Sequence, residues 1–361
     1  MLVNIATASP PYKVGQAAAA TELKKRMSGS PVIARMIDMA ASLSGIEHRY
    51  LVIPDGDENA GQKFYSDGDG YRIPDTKTRM DEYERWTKTL AMEAVERILH
   101  ETGSRPDEIE RLITISCTGF FAPGLDHSLI ERFHFPARVK RTNIGFMGCA
   151  ASLIGFTSVL ESFSSASQAA GKVLLVSVEL CSLHLQTEPT RDNILANMIF
   201  ADGCAAAVFE KNRTENGLKL LATSSYHFSN SSEYMGWKIG SYGFEMLLSS
   251  DLPKIILAEA VPTLHETLAG FQVQPESIVH WALHPGGRAI LDAMQKGMRL
   301  TDEQMAPSRT VLRNYGNISS ASILFVLKEI LQNSVLKKGD LVCAVAFGPG
   351  LTMETALLKV C

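Results

Sequence analysis

One order of predicted elements occurs twice along this chain, and this repeat limits the folds that are open to it. Each copy contains a short buried strand, a helix, a loop, an apolar helix and a second buried strand. The four strands are predicted at 112–116, 173–178, 278–283 and 341–347. Cys149 and Asn317 occupy equivalent positions, since each lies where the apolar helix of its copy begins. If the two copies face each other, both helix starts meet at one central site.

Strands and helices alternate along the chain, which is typical of an α/β fold. A further buried strand is predicted at 205–209. Helical patterns are predicted at 17–27, 80–102, 150–169, 252–271, 289–296 and 319–332. The copies are separated only by a polar turn at 210–217 and not by a linker. We therefore predict an N-terminal half at 1–212 and a C-terminal half at 213–361.

The composition excludes several classes of partner. Hydrophobic residues make up 45% of the chain and charged residues 20%, which is typical of a soluble globular protein. The formal net charge is -4 and the Lys/Arg runs are short, so neither nucleic acid nor an anionic membrane is a predicted partner. No apolar run reaches the length of a membrane span. Because the N-terminus lacks the basic start of a signal peptide, we expect a cytoplasmic location.

Metal and disulfide chemistry are not predicted. The chain has 6 cysteines and none of them form a C-x-x-C pair, so a zinc site or a redox motif is disfavoured and free thiols are expected. Cys204 and Cys343 lie inside apolar runs, where a cysteine acts as a small hydrophobe. An acidic stretch at 55–66 has calcium-loop spacing, but Ala60 and Ser66 stand where that loop needs Gly and Glu.

Cys149 is a candidate nucleophile. It lies in the motif Gly-Phe-Met-Gly-Cys-Ala-Ala-Ser at 145–152. At a helix start, the unpaired amides and the positive end of the helix dipole favour a thiolate. The flanking Gly148 and Ala150 leave space around the sulfur. A buried structural cysteine is the alternative interpretation.

His284 and Asn317 are candidate partners of the thiol. His284 ends an apolar strand and precedes the Gly-rich segment 285–287, and such strand ends hold ligand-facing groups in α/β sheets. Asn317 lies in Tyr-Gly-Asn-Ile-Ser-Ser-Ala at 315–321, where a helix N-cap is the alternative role. A thiol, an imidazole and a carboxamide together can attack an acyl group and stabilise the oxyanion or enolate that develops.

At these three motifs the chain resembles the type III polyketide synthases, the chalcone-synthase-like enzymes of the thiolase superfamily. Further segments are similar to those of the family. They are Ile-Ala-Thr-Ala (5–8), Cys-Thr-Gly (117–119) with Pro-Gly-Leu-Asp (123–126), Phe-Ala-Asp-Gly-Cys-Ala-Ala-Ala (200–207) and Phe-Gly-Pro-Gly-Leu-Thr (347–352). The resemblance covers essentially the whole chain. It implies a thiolase-like fold in which duplicated α/β halves form a layered αβαβα architecture.

The resemblance implies roles for the three candidate residues. Cys149 would carry the acyl chain, and His284 would help to ionise it. His284 and Asn317 would stabilise the enolate that forms when malonyl-CoA loses carbon dioxide. The implied enzyme loads an acyl-CoA starter, extends it iteratively with malonyl-CoA and cyclises the product. CoA thioesters are substrates, no cofactor or metal is required, and a homodimer is expected.

The resemblance also implies a substrate cavity and a CoA site. Phe200 would be the gatekeeper between them. The cavity residues would be Cys117, Thr118, Cys181, His184, Met246, Ser319 and either Gly236 or Trp237. The CoA contacts would be Gly286, Gly287, Ala289 and Arg35. Val32 and Met39 stand where plant members have basic residues for the CoA phosphates.

Several cavity positions depart from the plant members of the family. Those enzymes have small hydroxyl residues at the positions of Cys181 and His184, and an aromatic residue at the position of Met246. Ala122 stands where a methionine reaches across the dimer. We therefore predict an aliphatic acyl starter and an alkylpyrone or alkylresorcinol product.

Four other interpretations are weighed against this one. A malonyl-primed phloroglucinol- or naphthalene-type synthase is the nearest. A ketosynthase III type enzyme uses the same three residue types for one condensation, but follows its histidine with Gln-Ala-Asn, whereas Pro285 follows His284 here. A papain-like protease has the same residue order, but its Cys-Gly-Ser-Cys-Trp context is absent. The intact set of three residues disfavours a non-catalytic scaffold.

Overall fold

The computed structural model describes residues 1–27, 30–56, 63–67, 70–164 and 171–361. Strands β1 to β15 are Leu2–Ala8, Tyr12–Gly15, His48–Leu51, Ser66–Asp67, Gly70–Tyr71, Ile109–Ser116, Lys140–Gly145, Lys172–Leu180, Asp202–Glu210, Leu218–His227, Met235–Gly240, Gly243–Leu248, Ile278–Leu283, Leu341–Gly348 and Thr352–Val360. Helices α1 to α11 are Gln16–Arg26, Pro31–Leu43, Thr76–Thr102, Leu125–Phe133, Ala151–Ser164, Arg191–Ile199, Leu252–Ile255, Val261–Gly270, Arg288–Met298, Asp302–Tyr315 and Ser322–Asn333.

The predicted buried strands are present as β6, β8, β9, β13 and β14. Their side chains are mostly buried on both faces, as expected where helices cover both sides of a sheet. Cys204 in β9 and Cys343 in β14 are fully buried. Their predicted role as small core hydrophobes is confirmed.

One sheet of nine strands runs through the molecule in the order β13-β14-β15-β10-β1-β9-β8-β6-β7. The strands β1, β6, β7, β8 and β9 come from the first copy of the repeat, and the other four come from the second. The two sets join where Leu2 of β1 pairs with Leu218 of β10. Each copy therefore contributes one contiguous part of the sheet.

The apolar helices α5 and α11 lie at the centre of the molecule. Helix α5 contacts β6, β7 and β8 of the first copy and β10, β14 and β15 of the second. Helix α11 contacts β1 and β9 as well as β13 and β14. Both helices are therefore enclosed between the two parts of the sheet, which explains why their sequences are apolar on most sides. This is the predicted layered αβαβα arrangement.

Two helices differ from their predicted bounds. The helix predicted at 150–169 begins at Ala151 and is described as far as Ser164, because 165–170 lie outside the described residues. The helix predicted at 252–271 is interrupted by a π-helical turn at Ile256–Ala260. Pro262 follows this turn and has no amide hydrogen, so the regular helical hydrogen bond cannot form there.

The sequence analysis predicted neither a calcium loop nor a membrane span. Of the acidic stretch judged not to bind calcium, residues 57–62 lie outside the described residues. Among the helices of the described ranges, none combines the length and the apolar character that crossing a membrane needs.

Candidate active site

Cys149 lies in a 3-10 turn, Gly148–Ala150, that joins β7 to α5. Gly148 has a positive φ of 60°, which favours glycine. A Cβ at Gly148 would lie 2.3 Å from Cδ of Pro349, so the loop at 348–350 packs directly against the turn. This close approach fixes the thiol at the start of the central helix.

Asn317 is held by backbone and side-chain hydrogen bonds. Its backbone N–H donates to the carbonyl of Ile199 (2.8 Å), and its carbonyl accepts from the N–H of Ala201 (2.8 Å). Its Oδ1 accepts from the N–H of Ser319 at 2.8 Å, and its Nδ2 donates to the carbonyl of Gly286 at 3.3 Å. The carboxamide is therefore oriented with its N–H group toward the loop that follows β13.

The starts of α5 and α11 meet, as the repeat predicts. Oγ of Ser152 donates to the carbonyl of Ser320 at 2.6 Å. Sγ of Cys149 donates to Oγ of Ser319 at 3.6 Å, and Sγ of Cys117 lies 3.1 Å from the same oxygen. Two thiols thus share one serine hydroxyl at the junction of the two copies.

His284 lies at the end of β13 and borders the same site. Its N–H donates to the carbonyl of Val345 at 2.9 Å, and its carbonyl accepts from the N–H of Gly286 at 2.8 Å. A Cβ at Gly286 would lie 3.5 Å from Nε2 of His284, so the imidazole and the amide of Asn317 both lie beside Gly286. The ring is buried, and neither ring nitrogen has a hydrogen-bond partner in the part of the chain that the structure describes. It is free to bind a substrate group.

Burial opposes the thiolate that the helix start favours. Burial raises the pKa of Cys149 to about 12, and its hydrogen bonds with Ser319 and Asn317 only partly offset this rise. Burial also lowers the pKa of His284 to about 3. Enclosure therefore favours the neutral thiol and the neutral imidazole, because burial penalises both charged forms.

Glu179 is a buried carboxyl group that the sequence analysis missed. It lies near the end of β8 and accepts hydrogen bonds from the N–H of Cys117 (3.0 Å), from Oγ1 of Thr118 (2.7 Å) and from Oγ of Ser320. Burial raises its pKa. It ties the loop after β6 to the start of α11. The only indication of this residue in the sequence is that it is the single acidic residue of a mostly apolar strand.

The structure contains a largely apolar chamber of about 80 Å³. It is lined by four of the predicted cavity residues, Cys181, His184, Trp237 and Met246, and by the predicted gatekeeper Phe200. It also extends between α1, β3 and α6, where the sequence analysis predicted no cavity residues. That inner part is lined by Val14, Ala19, Leu23, Leu51, Ile53, Ala196 and Met198 together with the polar Glu22, Arg26, Arg49, Asp55, Asn193 and Asn197.

The other predicted cavity residues lie behind this chamber, near Cys149. Cys117 and Ser319 contact each other at the helix junction. The hydroxyl of Thr118 is used by Glu179 and by the N–H of Leu180 (2.9 Å). None of these three lines the chamber within the described residues.

His184 is a neutral wall of the chamber. Its Nε2 donates to the carbonyl of Thr118 at 2.7 Å, and its Nδ1 accepts from the N–H of Phe244 at 3.0 Å. The ring stacks on Phe244 with 4.2 Å between centroids, and burial lowers its pKa to about 3. Of the two predicted alternatives, Trp237 lines the chamber, and its Nε1 donates to the carbonyl of Cys117 at 2.7 Å.

A groove outside the chamber contains the predicted CoA contacts Gly286, Gly287 and Ala289. Its other lining residues are Met36, Met39, Ala40, Leu43, Ser44, Arg191, Ile194, Leu195, Ile199, Leu248, Ser249, Ser250, Leu252, Pro253, Arg288 and Ile290. Arg35 is exposed on α2 beside the groove and does not line it. The groove is lined instead by Arg191 and Arg288, two cations that the sequence analysis missed.

Phe200 lies between the two spaces. The adjacent Ile199 lines the groove, whereas Phe200 itself lines the chamber. Phe200 also forms an isolated β-bridge with Asn317.

Models of two protein families match two consecutive parts of the chain. The family described as FAE1/Type III polyketide synthase-like protein matches residues 59–228. The family described as chalcone and stilbene synthases, C-terminal domain, matches residues 219–361. Together the two matches cover most of both copies of the repeat.

Individual proteins are similar over most of their length. The 1,3,6,8-tetrahydroxynaphthalene synthase of Streptomyces peucetius subsp. caesius is 32% identical, over 75% of this chain and 72% of that protein. The alpha-pyrone synthesis polyketide synthase-like protein of Mycobacterium tuberculosis is 29% identical, over 79% of this chain and 73% of that protein. The crystal structure of PKS-I from the brown alga Ectocarpus siliculosus has a TM-score of 0.93 and 29% identity, with 100% of this chain and 98% of that chain covered.

Proposed function

Because the chain belongs to the type III polyketide synthases of the chalcone and stilbene synthase family, we propose that Cys149, His284 and Asn317 carry out its condensation chemistry. One observation supports this assignment above the others. The thiol of Cys149 and the amide of Asn317 meet at the junction of two helix starts, and both that amide and the unpartnered imidazole of His284 lie beside Gly286, which lines the groove.

The proposed loading step begins from the neutral site. The starter thioester places its carbonyl beside Cys149, and His284 accepts the thiol proton as the sulfur attacks. A bond forms between Cys149 Sγ and the acyl carbon, the bond to the CoA sulfur breaks, and the proton passes from His284 to that sulfur. A neutral imidazole is suited to this task, because it can accept a proton only when uncharged.

The proposed extension step uses the same groups as hydrogen-bond donors. Malonyl-CoA loses carbon dioxide, and the enolate oxygen that remains is held by Nε2 of His284 and Nδ2 of Asn317. The enolate carbon attacks the acyl carbon on Cys149, so a carbon–carbon bond forms and the carbon–sulfur bond to Cys149 breaks. Loss of carbon dioxide supplies the driving force, and the proposed cycle requires neither a metal nor a redox cofactor.

The chamber supports an aliphatic starter. Beyond Trp237 and Met246 its walls include the side chains of Val14, Leu23, Leu51 and Met198, which can bind alkyl chains by removing apolar surface from water. We therefore propose an alkylpyrone or alkylresorcinol product. The similarity to the alpha-pyrone synthesis protein supports a pyrone, and the similarity to the tetrahydroxynaphthalene synthase makes a malonyl-primed reaction the competing candidate.

We also propose a homodimer. Phe120 and Met147 are exposed apolar side chains, and the ring of Phe120 lies 6.1 Å from that of Phe146. They form an exposed apolar patch beside Ala122, the position implied to lie at the dimer contact. Light scattering after gel filtration would measure the mass, and a monomer at micromolar concentration would contradict the proposal.

The function is tested by supplying malonyl-CoA with hexanoyl-, lauroyl-, benzoyl- or no starter CoA, and by identifying the products by mass spectrometry. We expect pyrone or resorcinol masses with the aliphatic starters, and none with Cys149→Ala. A matched control is Cys343→Ala, which removes a buried thiol far along the chain in β14 and leaves the product pattern unchanged. Higher turnover without an added starter would support the malonyl-primed reaction, and a single condensation would support a ketosynthase III type reaction.

A further inference from the structure

Two segments of the chain line the chamber side by side. The first is one face of α1, whose lining residues have the spacing of successive helical turns: Ala19, Glu22, Leu23 and Arg26. The second is β3 with the turn that follows it, in which every second residue lines the chamber: Arg49, Leu51, Ile53 and Asp55. Because α1 rises by roughly 1.5 Å per residue, this lining extends over about 10 Å.

The two ends of this lining contact different parts of the molecule. At one end, Nη1 of Arg49 donates to the carbonyl of Phe200, and Phe200 pairs with Asn317 of the proposed catalytic set. At the other end, Nη2 of Arg26 donates to Oδ1 of Asp55 at 2.9 Å. The Arg26 end is therefore the end of the chamber that is remote from Asn317.

Arg26 is a buried cation whose hydrogen bonding is incomplete. Its side chain is 1% exposed. Nη1 donates to the carbonyl of Tyr65 at 2.8 Å, and Nη2 donates to the carboxylates of Glu22 (2.8 Å) and Asp55 (2.9 Å). Nε has no hydrogen-bond partner in the part of the chain that the structure describes. An unpaired buried donor costs free energy, so an oxygen of a bound ligand beside Nε would be stabilised.

The groups around Arg26 select the kind of oxygen. A carboxylate on the ligand would be repelled by Glu22 and Asp55, which both line the chamber, and a ketone can only accept a hydrogen bond. A hydroxyl group can accept from Nε and donate to a carboxylate. Both oxygens of Asp55 already accept from the N–H groups of Phe64 and Tyr65 at 2.8 Å. Oε2 of Glu22 has only the ammonium of Lys25 at 3.6 Å, so it is the available acceptor.

We infer that the chamber binds an acyl starter with a hydroxyl group on its last carbon, which accepts from Nε of Arg26 and donates to Glu22. The inference rests on the proposed function, because it names one class among the aliphatic starters proposed there. Leu23, Leu51 and Ile53 line the chamber between its two ends and would contact the alkyl part of the chain. A mostly apolar site with a few placed polar groups is typical of small-molecule recognition.

The test compares starters of equal length. Hexanoyl-, octanoyl-, decanoyl- and lauroyl-CoA are each paired with their ω-hydroxy derivative, and kcat/KM is measured with malonyl-CoA as the extender. At the length that reaches Arg26, we expect kcat/KM of the ω-hydroxy starter to exceed that of the unsubstituted starter by about tenfold, because a site that hydrogen-bonds a hydroxyl group disfavours the analogue without it. At that length an ω-carboxy starter should fall about tenfold below the unsubstituted one, because its charge would be buried beside two carboxylates.

Arg26→Lys tests the donor and keeps a positive charge between the two carboxylates. The three N–H donors of lysine match the three acceptors of Nη1 and Nη2, which leaves none for the ligand. The ratio of kcat/KM for the ω-hydroxy and unsubstituted starters should therefore fall to within about twofold of one. The ratio is the measured quantity, because a general loss of folding or activity lowers both values alike.

Arg85→Lys is the matched control. Arg85 also pairs with a glutamate of its own helix, Glu82, but its side chain is 58% exposed and does not line the chamber, so the ratio should be unchanged. Glu22→Gln is a second variant, which removes one carboxylate and keeps the shape of the side chain. It should raise kcat/KM of the ω-carboxy starter by about tenfold relative to the unsubstituted starter, because less charge repels the ligand.

Other results would overturn the inference in different ways. Ratios near one at every length, or a ratio that Arg26→Lys leaves unchanged, overturn it and leave the proposed function standing. The highest kcat/KM with an ω-carboxy starter overturns the choice of a hydroxyl group. A preference for 3-hydroxydecanoyl-CoA over ω-hydroxydecanoyl-CoA overturns the assignment to Arg26 and favours Arg49, whose Nε is also unpartnered within the described residues. Absence of polyketide from every starter overturns the proposed function and the inference with it.

Discussion

At the scale of single residues, burial favours the uncharged forms of the two groups proposed to carry the chemistry. Both Cys149 and His284 are buried, and burial shifts their pKa values in opposite directions, each toward the neutral form. A thiolate and imidazolium pair would need water or other polar groups around it. The site has Ser319 and Asn317 near the sulfur, but no partner for the imidazole within the described residues.

The rate at which iodoacetamide alkylates Cys149 tests whether this residue is a neutral thiol in the free enzyme. With a pKa of about 12, the thiolate fraction should rise about tenfold for each pH unit across the neutral range. We therefore expect the alkylation rate to increase from about pH 6 to about pH 9 without a plateau, measured on the Cys149 peptide by mass spectrometry. His284→Ala should keep this slope. A rate that is constant above about pH 6 would show that a thiolate and imidazolium pair exists in the free enzyme.

At the scale of elements, the site is built from two turns that begin matching helices. The turn before α5 places Cys149, and the turn at Ser319–Ala321 before α11 places Asn317 and Ser319. Glu179 and Ser152 connect these turns through Ser320. The repeat in the sequence was enough to predict that the helix starts meet. It did not reveal Glu179, because the carboxyl group belongs to neither motif and becomes important only when β8 packs beside both turns.

Gly148→Ala tests how closely the turn before α5 must pack. A methyl group there would meet Pro349 at 2.3 Å in a backbone conformation that favours glycine. We expect kcat to fall by about 100-fold, because a shift of about 1 Å in a reacting group has this effect, together with a lower melting temperature. Gly270→Ala is the matched control, since no atom lies within 4 Å of the added methyl group. Unchanged kcat in Gly148→Ala would contradict a fixed thiol position.

At the scale of the whole molecule, the chamber exists only because distant segments assemble. Its walls come from α1, β3, α6, β11 and β12. The residues of β11 and β12 that line it, Trp237, Phe244 and Met246, belong to the second half. Volume and chain-length preference are therefore properties of the assembled fold.

Ala19→Phe tests whether the inner chamber binds the starter chain. Ala19 lies on α1, lines the chamber and is half-buried, so a phenyl group there would fill space that a long chain needs. We expect kcat/KM for lauroyl-CoA to fall by about tenfold or more and kcat/KM for hexanoyl-CoA to change by less than about threefold. Ala18→Phe, on the exposed side of the same helix, should alter neither value. Equal losses for both starters would place the starter chain elsewhere.

The sequence by itself determined the α/β class, the duplicated order of strands and helices, and the candidate residues Cys149, His284 and Asn317. These features follow from local patterns, since apolar periodicity and small residues around a polar one are readable within short windows. The sequence also indicated five of the residues that line the chamber, through the resemblance of their short motifs to those of known enzymes.

Only the tertiary structure decided the charge state of the site, the position of Glu179, the inner chamber and the cations of the groove. A pKa depends on how completely a group is removed from water, and no short window of sequence contains that information. The inner chamber combines Ala19 and Leu51 with Met198 and Met246, which are far apart along the chain. Arg191 and Arg288, not Arg35, reach the groove because α6 and α9 begin at its edge, whereas Arg35 lies on the exposed side of α2.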